Sequence, residues 1–177
     1  MEFDSNITIK QVKDSDELLE FVMFPHDLYK DSKYWVAPIT NEELEVLDRE
    51  INPVFKNALA HYFLAYINGK IVGRVAALIN WVEVNDLKKK KVRFGWFDFV
   101  DNIEVSKALL EKVREIGIKN NLEFIEGPVG FSNMDKAGIL IKGFEKKNTM
   151  ITLYNHPYYK DHMIKHGYNK LAEWVEY

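Results

Sequence analysis

RFGWFDFVDNIEVSKALLEKVREIG, residues 93–117, passes from a strand pattern to a helical one with no loop between them. Residues 93–100 are dense in Phe, Trp and Val, which suit a pleated and mostly buried strand, whereas Val105, Leu109, Val113 and Ile116 recur at helical spacing. Such a junction is where α/β proteins often hold phosphates, because the first turn of a helix leaves backbone N–H groups unpaired and carries partial positive charge.

Working outward toward the N-terminus, residues 61–67 alternate, Asn68-Gly69 is a strong hairpin signal, and residues 70–81 continue as a long strand before 82–91 turn the chain. Residues 6–12 (NITIKQV) read as a first strand. In the next segment, DSDELLEFVMFPHDLYK, residues Leu18, Leu19, Phe21 and Val22 mark a helix that Pro25 interrupts. Residues 31–60 combine Trp35, Pro38, Pro53 and Phe55 with an acidic helical piece, NEELEVLDRE, and so form an ordered excursion. Toward the C-terminus, residues 123–129 (EFIEGPV) form a short strand that breaks at Gly127-Pro128. A Gly-rich polar loop follows, of the composition that lines sites. Residues 150–154 are apolar, Pro157 suits the first turn of a helix over 158–166, Gly167 ends that helix, and 171–177 read as a closing strand.

The 177 residues, 47% hydrophobic and 29% charged, describe one domain over 1–177 with a full core. There is no apolar run long enough for a membrane helix and no signal-peptide pattern near the start, so a cytoplasmic, membrane-free protein is expected. Zero Cys excludes disulfides and thiolate catalysis. The net charge of -3 offers no footprint for nucleic acid, and the basic run at residues 88–91 reads as a solvated loop tip.

The element order resembles that of the GNAT acyltransferase superfamily, and HMIKHGYNKLAEW is similar to the end of that fold's last helix, where a lysine and then Gly-aromatic precede the final strand. The segments FPHDLYKDSKYWVAP, NGKIVGRVAALIN, RFGWFDFVDN, EGPVGFSNMD and YNHPYYKDHMIKHGY resemble the N-terminal half of bacterial GNAT-like proteins that commonly carry a second GNAT-like domain. The resemblance implies an α/β fold of mixed α+β type. Its central sheet would be mixed, mostly antiparallel, with six to seven strands flanked by about four helices. It further implies acetyl-CoA or another acyl-CoA as cofactor, a small-molecule amine as acceptor, no metal, and a second GNAT-like domain or a homodimer as partner.

Two departures bear on function. GNAT enzymes that use acetyl-CoA mark the strand-to-helix junction with Arg or Gln, two residues, Gly, one residue and then Gly or Ala, whereas this chain has FDFVDNIEVSKALL, with no Gly between Phe97 and Leu110. Asp101 followed by Glu104 has the spacing of a capping box, and a pyrophosphate would meet Asp98, Asp101 and Glu104 as like charges, at a cost of about a kilocalorie or more per close pair. Second, the position where the resemblance expects a Tyr to protonate the leaving thiolate is Met163, and Tyr158 and Tyr159 stand about one turn or more earlier. By resemblance, an acyl-CoA would lie against Val100, Asp101, Asn102 and Asn155. The walls of a substrate site would come from Ser132, Asn133, Asp135 and Tyr154.

Asp98 inside an aromatic strand and Glu126 at the end of the next could face one cleft as general bases if those strands are parallel neighbours; equally, each could be a buried acid satisfied by Arg74, Arg93 or backbone N–H groups. His162 and His166 are four apart but lack the Glu of a metalloprotease motif, and KDHMIKHG reads as an exposed helix end. Tyr154, Tyr158, Tyr159 and Tyr168 read as packing with a polar rim. Ser132 has no nucleophile elbow. Two functions stay open: an acyl-CoA-dependent N-acyltransferase with a degenerate pyrophosphate loop, or a non-catalytic structural or ligand-binding module beside an active domain.

Overall fold

In a computed structural model, residues 6–148 and 153–175 of the protein are described. The order is β1 (Thr8–Gln11), α1 (Ser15–Leu28), α2 (Thr40–Leu47), a 3-10 turn (Pro53–Lys56), β2 (Ala58–Ile67), β3 (Lys70–Asn80), α3 (Trp81–Asn85), β4 (Lys91–Phe99), α4 (Ile103–Lys119), β5 (Phe124–Glu126) and α5 (Tyr158–Lys165). The sheet runs β1-β2-β3-β4-β5 in space. Its first four strands are an antiparallel meander, and α4 crosses over so that β5 lies parallel to β4. This is the mixed, mostly antiparallel sheet expected, with five strands among the described residues where six to seven were expected. Residues 171–175 make no ladder: Leu171 and Val175 are exposed, and Trp174 lies against Gly138 instead of pairing.

Strand alternation divides the core into two layers. Phe63, Ala65, Val75, Ala77 and Ile79 face α4, where Val105, Leu109 and Val113 are fully buried. Tyr62, Leu64, Ala76 and Leu78 face Phe21 and Val22 of α1 and Leu47 of α2. β4 keeps to this scheme only through a bulge. Trp96 has φ 44° and the β3–β4 register jumps between Arg74 and Ala76, so the parity of β4 inverts there. Val92 and Phe94 before the bulge, and Phe97 and Phe99 after it, therefore share the α4 face, while Trp96 packs with the α1 layer. Gly95 and Gly127 permit the close approach of the following loop. A Cβ at 95 would meet the Val129 carbonyl oxygen at 2.7 Å, and one at 127 would overlap the Phe94 carbonyl oxygen.

Pro25 does not interrupt α1, which runs through it to Leu28 with Pro25 buried. A proline at this position deprives the Phe21 carbonyl of its helical partner. That oxygen accepts instead from Arg74 Nη1 at 2.8 Å, so a side chain from β3 replaces the missing bond. The cap of α4 also differs from expectation. Asn102, not Asp101, supplies the N-cap, its Oδ1 accepting from the Glu104 N–H at 3.0 Å. The basic run is solvated at Lys88, Lys89 and Lys90, but Lys91 turns inward and is only 4% exposed.

Candidate functional site

The two layers meet where β5 stops and β4 continues. Arg74 and Asp98 are directly paired across β3 and β4. Arg74 Nε and Nη2 each donate to Asp98 Oδ2 at 2.8 Å, in an ion pair whose side chains are 8% and 13% exposed. The other carboxylate oxygen accepts from the Tyr29 hydroxyl at 2.8 Å. Tyr29, the residue that ends α1, lies 2.8 Å from the hydroxyl of Tyr159 on α5. Tyr159 OH accepts from the Phe99 N–H at 3.1 Å, which leaves its own proton for Tyr29 or for Asp98 Oδ1 at 3.3 Å. Burial, and next the Asp98 charge, push the Tyr29 and Tyr159 phenols well above their ordinary range, so both act as donors. Asp98 is thus a buried acid whose two oxygens are committed to Arg74 and the tyrosines.

A cavity of about 250 Å³ opens over this set. Trp35, Pro38 and Val46 line it from the α1–α2 side, Trp96 from the bulge, and Gly138 and Ile139 from the loop after β5. The Gly-rich loop therefore does line a cavity. Of the candidate substrate residues, Tyr154 and Asp135 lie in its wall. Tyr154 packs edge-on against Tyr29 with ring centres 5.6 Å apart, and Asp135 Oδ2 accepts from the Ser132 N–H at 2.7 Å. Ser132 Oγ accepts from the Met134 N–H at 3.1 Å, which makes it a turn residue. Asn133 points elsewhere, its Oδ1 accepting from Arg93 Nη2 at 2.5 Å.

Glu126 does not share the cleft with Asp98. The strands are parallel neighbours, but Glu126 lies opposite Arg93, at the far end of β4 from Asp98. It accepts from Lys91 Nζ at 2.7 Å, within a buried network that adds Glu83, at 3.3 Å from Lys91 and 2.6 Å from Arg93. Two cations face two carboxylates there, so the charges offset one another, which makes the group a fastening between β4, β5 and α3.

The start of α4 is filled by the protein itself. Asp101 Oδ1 lies 3.0 Å from His162 Nε2, His162 Nδ1 lies 2.8 Å from Ser106 Oγ, and Ser106 Oγ lies 2.8 Å from His166 Nε2. One proton order has His166 donating to Ser106, Ser106 to His162 or to the Ile103 carbonyl 3.0 Å away, and His162 to Asp101. His162 is 4% exposed and Ser106 fully buried, so the histidines do not form an exposed helix end but fasten α5 to the first turn of α4. Burial, and then the neighbouring His162, lower the affinity of His166 for a proton. Tyr158 donates to the Phe99 carbonyl at 2.5 Å, and burial and then the nearby Asp101 hold its phenol protonated. Val100 N–H donates to Val72 O at 3.0 Å. Asn155 is buried, its Oδ1 accepting from Leu140 N–H at 2.7 Å and its Nδ2 donating to His156 O at 2.9 Å. A CoA pyrophosphate therefore does not fit here: the N-cap is occupied, Asp101 and Glu104 stand at the mouth, and Phe99 has both backbone groups taken by α5 tyrosines.

Sequence reasoning missed Tyr29, the Ser106–His162–His166 chain and Trp96. Their roles depend on contacts between elements far apart in the chain, and the residue types alone carry no such signal.

No protein-family profile matches the chain. Its architecture does match solved structures. A predicted acetyltransferase from Clostridium acetobutylicum with acetyl-CoA aligns at TM-score 0.59 and 12% identity, over 97% of this chain and 95% of that one. An aminoglycoside acetyltransferase from an uncultured soil metagenomic sample, in complex with sisomicin, aligns at 0.53 and 12% identity, over 99% and 95%. This is the GNAT fold. A tandem GNAT protein from the clavulanic acid biosynthesis pathway shares it at TM-score 0.51 and 13% identity, over 66% of this chain and 34% of that one. Two curated relatives resemble the GNAT-fold chain in sequence. Protein YghO of Escherichia coli (strain K12) is 27% identical over 172 residues, 95% of this chain and 44% of that protein. Bacterial ceramide synthase of Caulobacter vibrioides is 25% identical over 181 residues, 100% of this chain and 47% of that protein. The chain spans about half the length of these curated relatives. Among the described residues, no helix is long and apolar enough to cross a membrane, and no group of three or more His, Asp or Glu is placed to hold a metal.

Proposed function

We propose that this GNAT-fold chain is the substrate-binding half of a longer N-acyltransferase, and that its cleft takes an amine carrying an apolar chain. The observation that carries the reading is a contrast at one end of β4, between the cavity over Asp98 and the start of the helix that follows the strand. An aromatic and aliphatic cavity is open above Asp98, while the start of α4, where a CoA pyrophosphate would be held, is closed by Asn102, Asp101 and His162. The resemblance to bacterial ceramide synthase supports an acceptor of this kind, since a ceramide is a long-chain amino alcohol acylated on nitrogen, and the half-length coverage supports an acyl-donor site outside this chain.

Amide formation needs the amine positioned with its lone pair free and its proton removed as the bond forms. In this half, the Arg74–Asp98–Tyr29 set is a rigid, ionic floor that orients the substrate; it is not the base, because the carboxylate lone pairs are already engaged. No step through CoA is assigned to this chain.

A second reading, in which the chain itself binds acyl-CoA and uses Asp98 with Tyr158 or Tyr159, is favoured by its alignment with a structure holding acetyl-CoA. Thermal denaturation separates the two. A long-chain amine is expected to raise the melting temperature in a dose-dependent way, with no shift from millimolar acetyl-CoA. A shift with acetyl-CoA and none with the amine would overturn the first reading in favour of the second.

A further inference from the structure

Three carboxylates line the cavity, and they are not equivalent. Asp98 is consumed by Arg74 and Tyr29. Asp135 sits on the exposed loop and closes a turn onto Ser132. Glu43, half-buried in the first turn of α2, is different. Its Oε2 accepts from the Trp96 indole N–H at 2.7 Å, and no other side-chain bond to it is made among the described residues. One oxygen is thus held in place and the other, among the described residues, is left to receive a donor from the cavity.

Trp96 reaches Glu43 because of the bulge. A regular β4 would send side chain 96 to the α4 layer together with Phe94, whereas φ 44° at Trp96 turns it to the α1–α2 side, against Phe131 at 5.9 Å. The indole then fixes the carboxylate at the cavity wall. Trp96 and Asp98 stand two residues apart on one face, so about 6–7 Å of strand separates the free carboxylate's anchor from the Arg74-bound one. Of the cations lining the cavity, Arg74 is committed to Asp98 and the Phe21 carbonyl, and Lys136 lies on the exposed loop. The charge left to a ligand is therefore negative. Around it, Trp35, Pro38 and Val46 offer apolar wall, and the 50% exposed Val36 continues that wall to the mouth.

The geometry points to Glu43, oriented by Trp96, as the group that receives the ammonium of a primary amine whose aliphatic chain lies along the Trp35–Val46 wall. The assignment rests on the proposed substrate-binding role of the cleft and adds the head-group residue to it. A charge-assisted N–H to carboxylate bond, one oxygen already fixed by the indole, is the kind of contact that separates an amine from a neutral head group of equal chain length.

The test uses dodecylamine and dodecanol, both below their aggregation concentrations, titrated into the protein by calorimetry. The native chain is expected to bind the amine at least about ten-fold more tightly than the alcohol. Glu43→Gln keeps an oxygen for the Trp96 N–H but removes the charge; it is expected to weaken the amine about ten-fold and leave the alcohol unchanged. Trp96→Phe, which keeps a ring but loses the N–H, is expected to weaken the amine by a smaller factor, about three-fold. If Glu43→Gln binds the amine as the native chain does, the ammonium lies elsewhere and the assignment fails while the cleft keeps its role. If the native chain binds neither ligand, both the assignment and the role of the cleft fall.

Discussion

Replacing Arg74 by Met isolates what the ion pair beneath the cavity contributes. The side chains of Arg74 and Asp98 are 8% and 13% exposed, so the substitution strands a carboxylate in a largely desolvated place. Removing one partner of such a pair costs about 3–5 kcal/mol, because the charge left behind keeps its desolvation penalty. The same substitution removes the donor to the Phe21 carbonyl, which Pro25 has already deprived of a helical partner, adding about 1 kcal/mol. Roughly 4–6 kcal/mol is expected, seen in urea as a lowered midpoint at unchanged slope. For a domain of this size that corresponds to a fall of roughly 10–20 °C in melting temperature.

The link between Pro25 and Arg74 makes the reasoning specific. In the Arg74→Met background, Pro25→Ala returns an N–H to α1 that can satisfy the Phe21 carbonyl. In the native background that carbonyl is already satisfied at 2.8 Å. The gain from Pro25→Ala should therefore be larger, by about 1 kcal/mol, when Arg74 is absent, and a double-mutant cycle measures that difference free of the general effect of removing a helix proline. A loss below about 1 kcal/mol for Arg74→Met, or a cycle that closes to zero, would refute the account.

Acid and alkali should each weaken the fold through different groups. Burial lowers the proton affinity of His61 and of His166, so the folded state favours their neutral forms; their contribution is complete above about pH 6.5 and is lost as pH falls below it, and His166→Asn should flatten that limb of a stability profile. The buried phenols run the other way: Tyr29 and Tyr159 are pushed well up and Tyr168 to about 12, all chiefly by burial, so their contribution is complete below about pH 10 and is lost as pH rises further, measurable as a falling urea midpoint. Gly95→Ala would set a Cβ 2.7 Å from the Val129 carbonyl oxygen, a backbone atom with little room to yield; a loss of about 1–3 kcal/mol is expected, with weakened amine binding because the displaced loop carries one wall of the cavity.

The hairpin, the long third strand and the strand-to-helix passage were legible because each rests on local periodicity and on Asn68-Gly69. The site was less so. Asp98 stands out in the sequence as a charge among aromatics, and Arg74 was one of its foreseeable partners, but the pairing with Tyr29 and Tyr159 depends on α1 and α5 meeting over β4 beyond the end of β5. Glu126 is misplaced for a related reason: the shared cleft is conditional on parallel neighbours, and that condition holds, but the register puts Glu126 opposite Arg93. The bulge was invisible because its left-handed residue is Trp96, while the adjacent Gly95 keeps a negative φ and serves the approach of the loop. Pro25 carried a true signal that pointed to the wrong outcome: the lost helical bond was real, but a guanidinium from another strand took its place.

The start of α4 shows why a missing glycine motif is more than a gap in a pattern. Restoring Gly at Ile103 or Val105 would clear space for backbone approach, yet it would leave Asp101 bonded to His162, Ser106 bonded to both histidines, and Phe99 held by Tyr158 and Tyr159. Those contacts come from four residues of one helix, α5 and its C-cap, laid against the β4–α4 junction. An anion could displace them only by moving α5, and Tyr159 on that helix also supports the Tyr29–Asp98–Arg74 floor of the cavity. Opening the junction to a pyrophosphate would thus disturb the cleft proposed to take an amine. A pyrophosphate site and the proposed amine cleft would compete for the same helix, which is the physical argument behind the proposal that the acyl donor is held outside these residues.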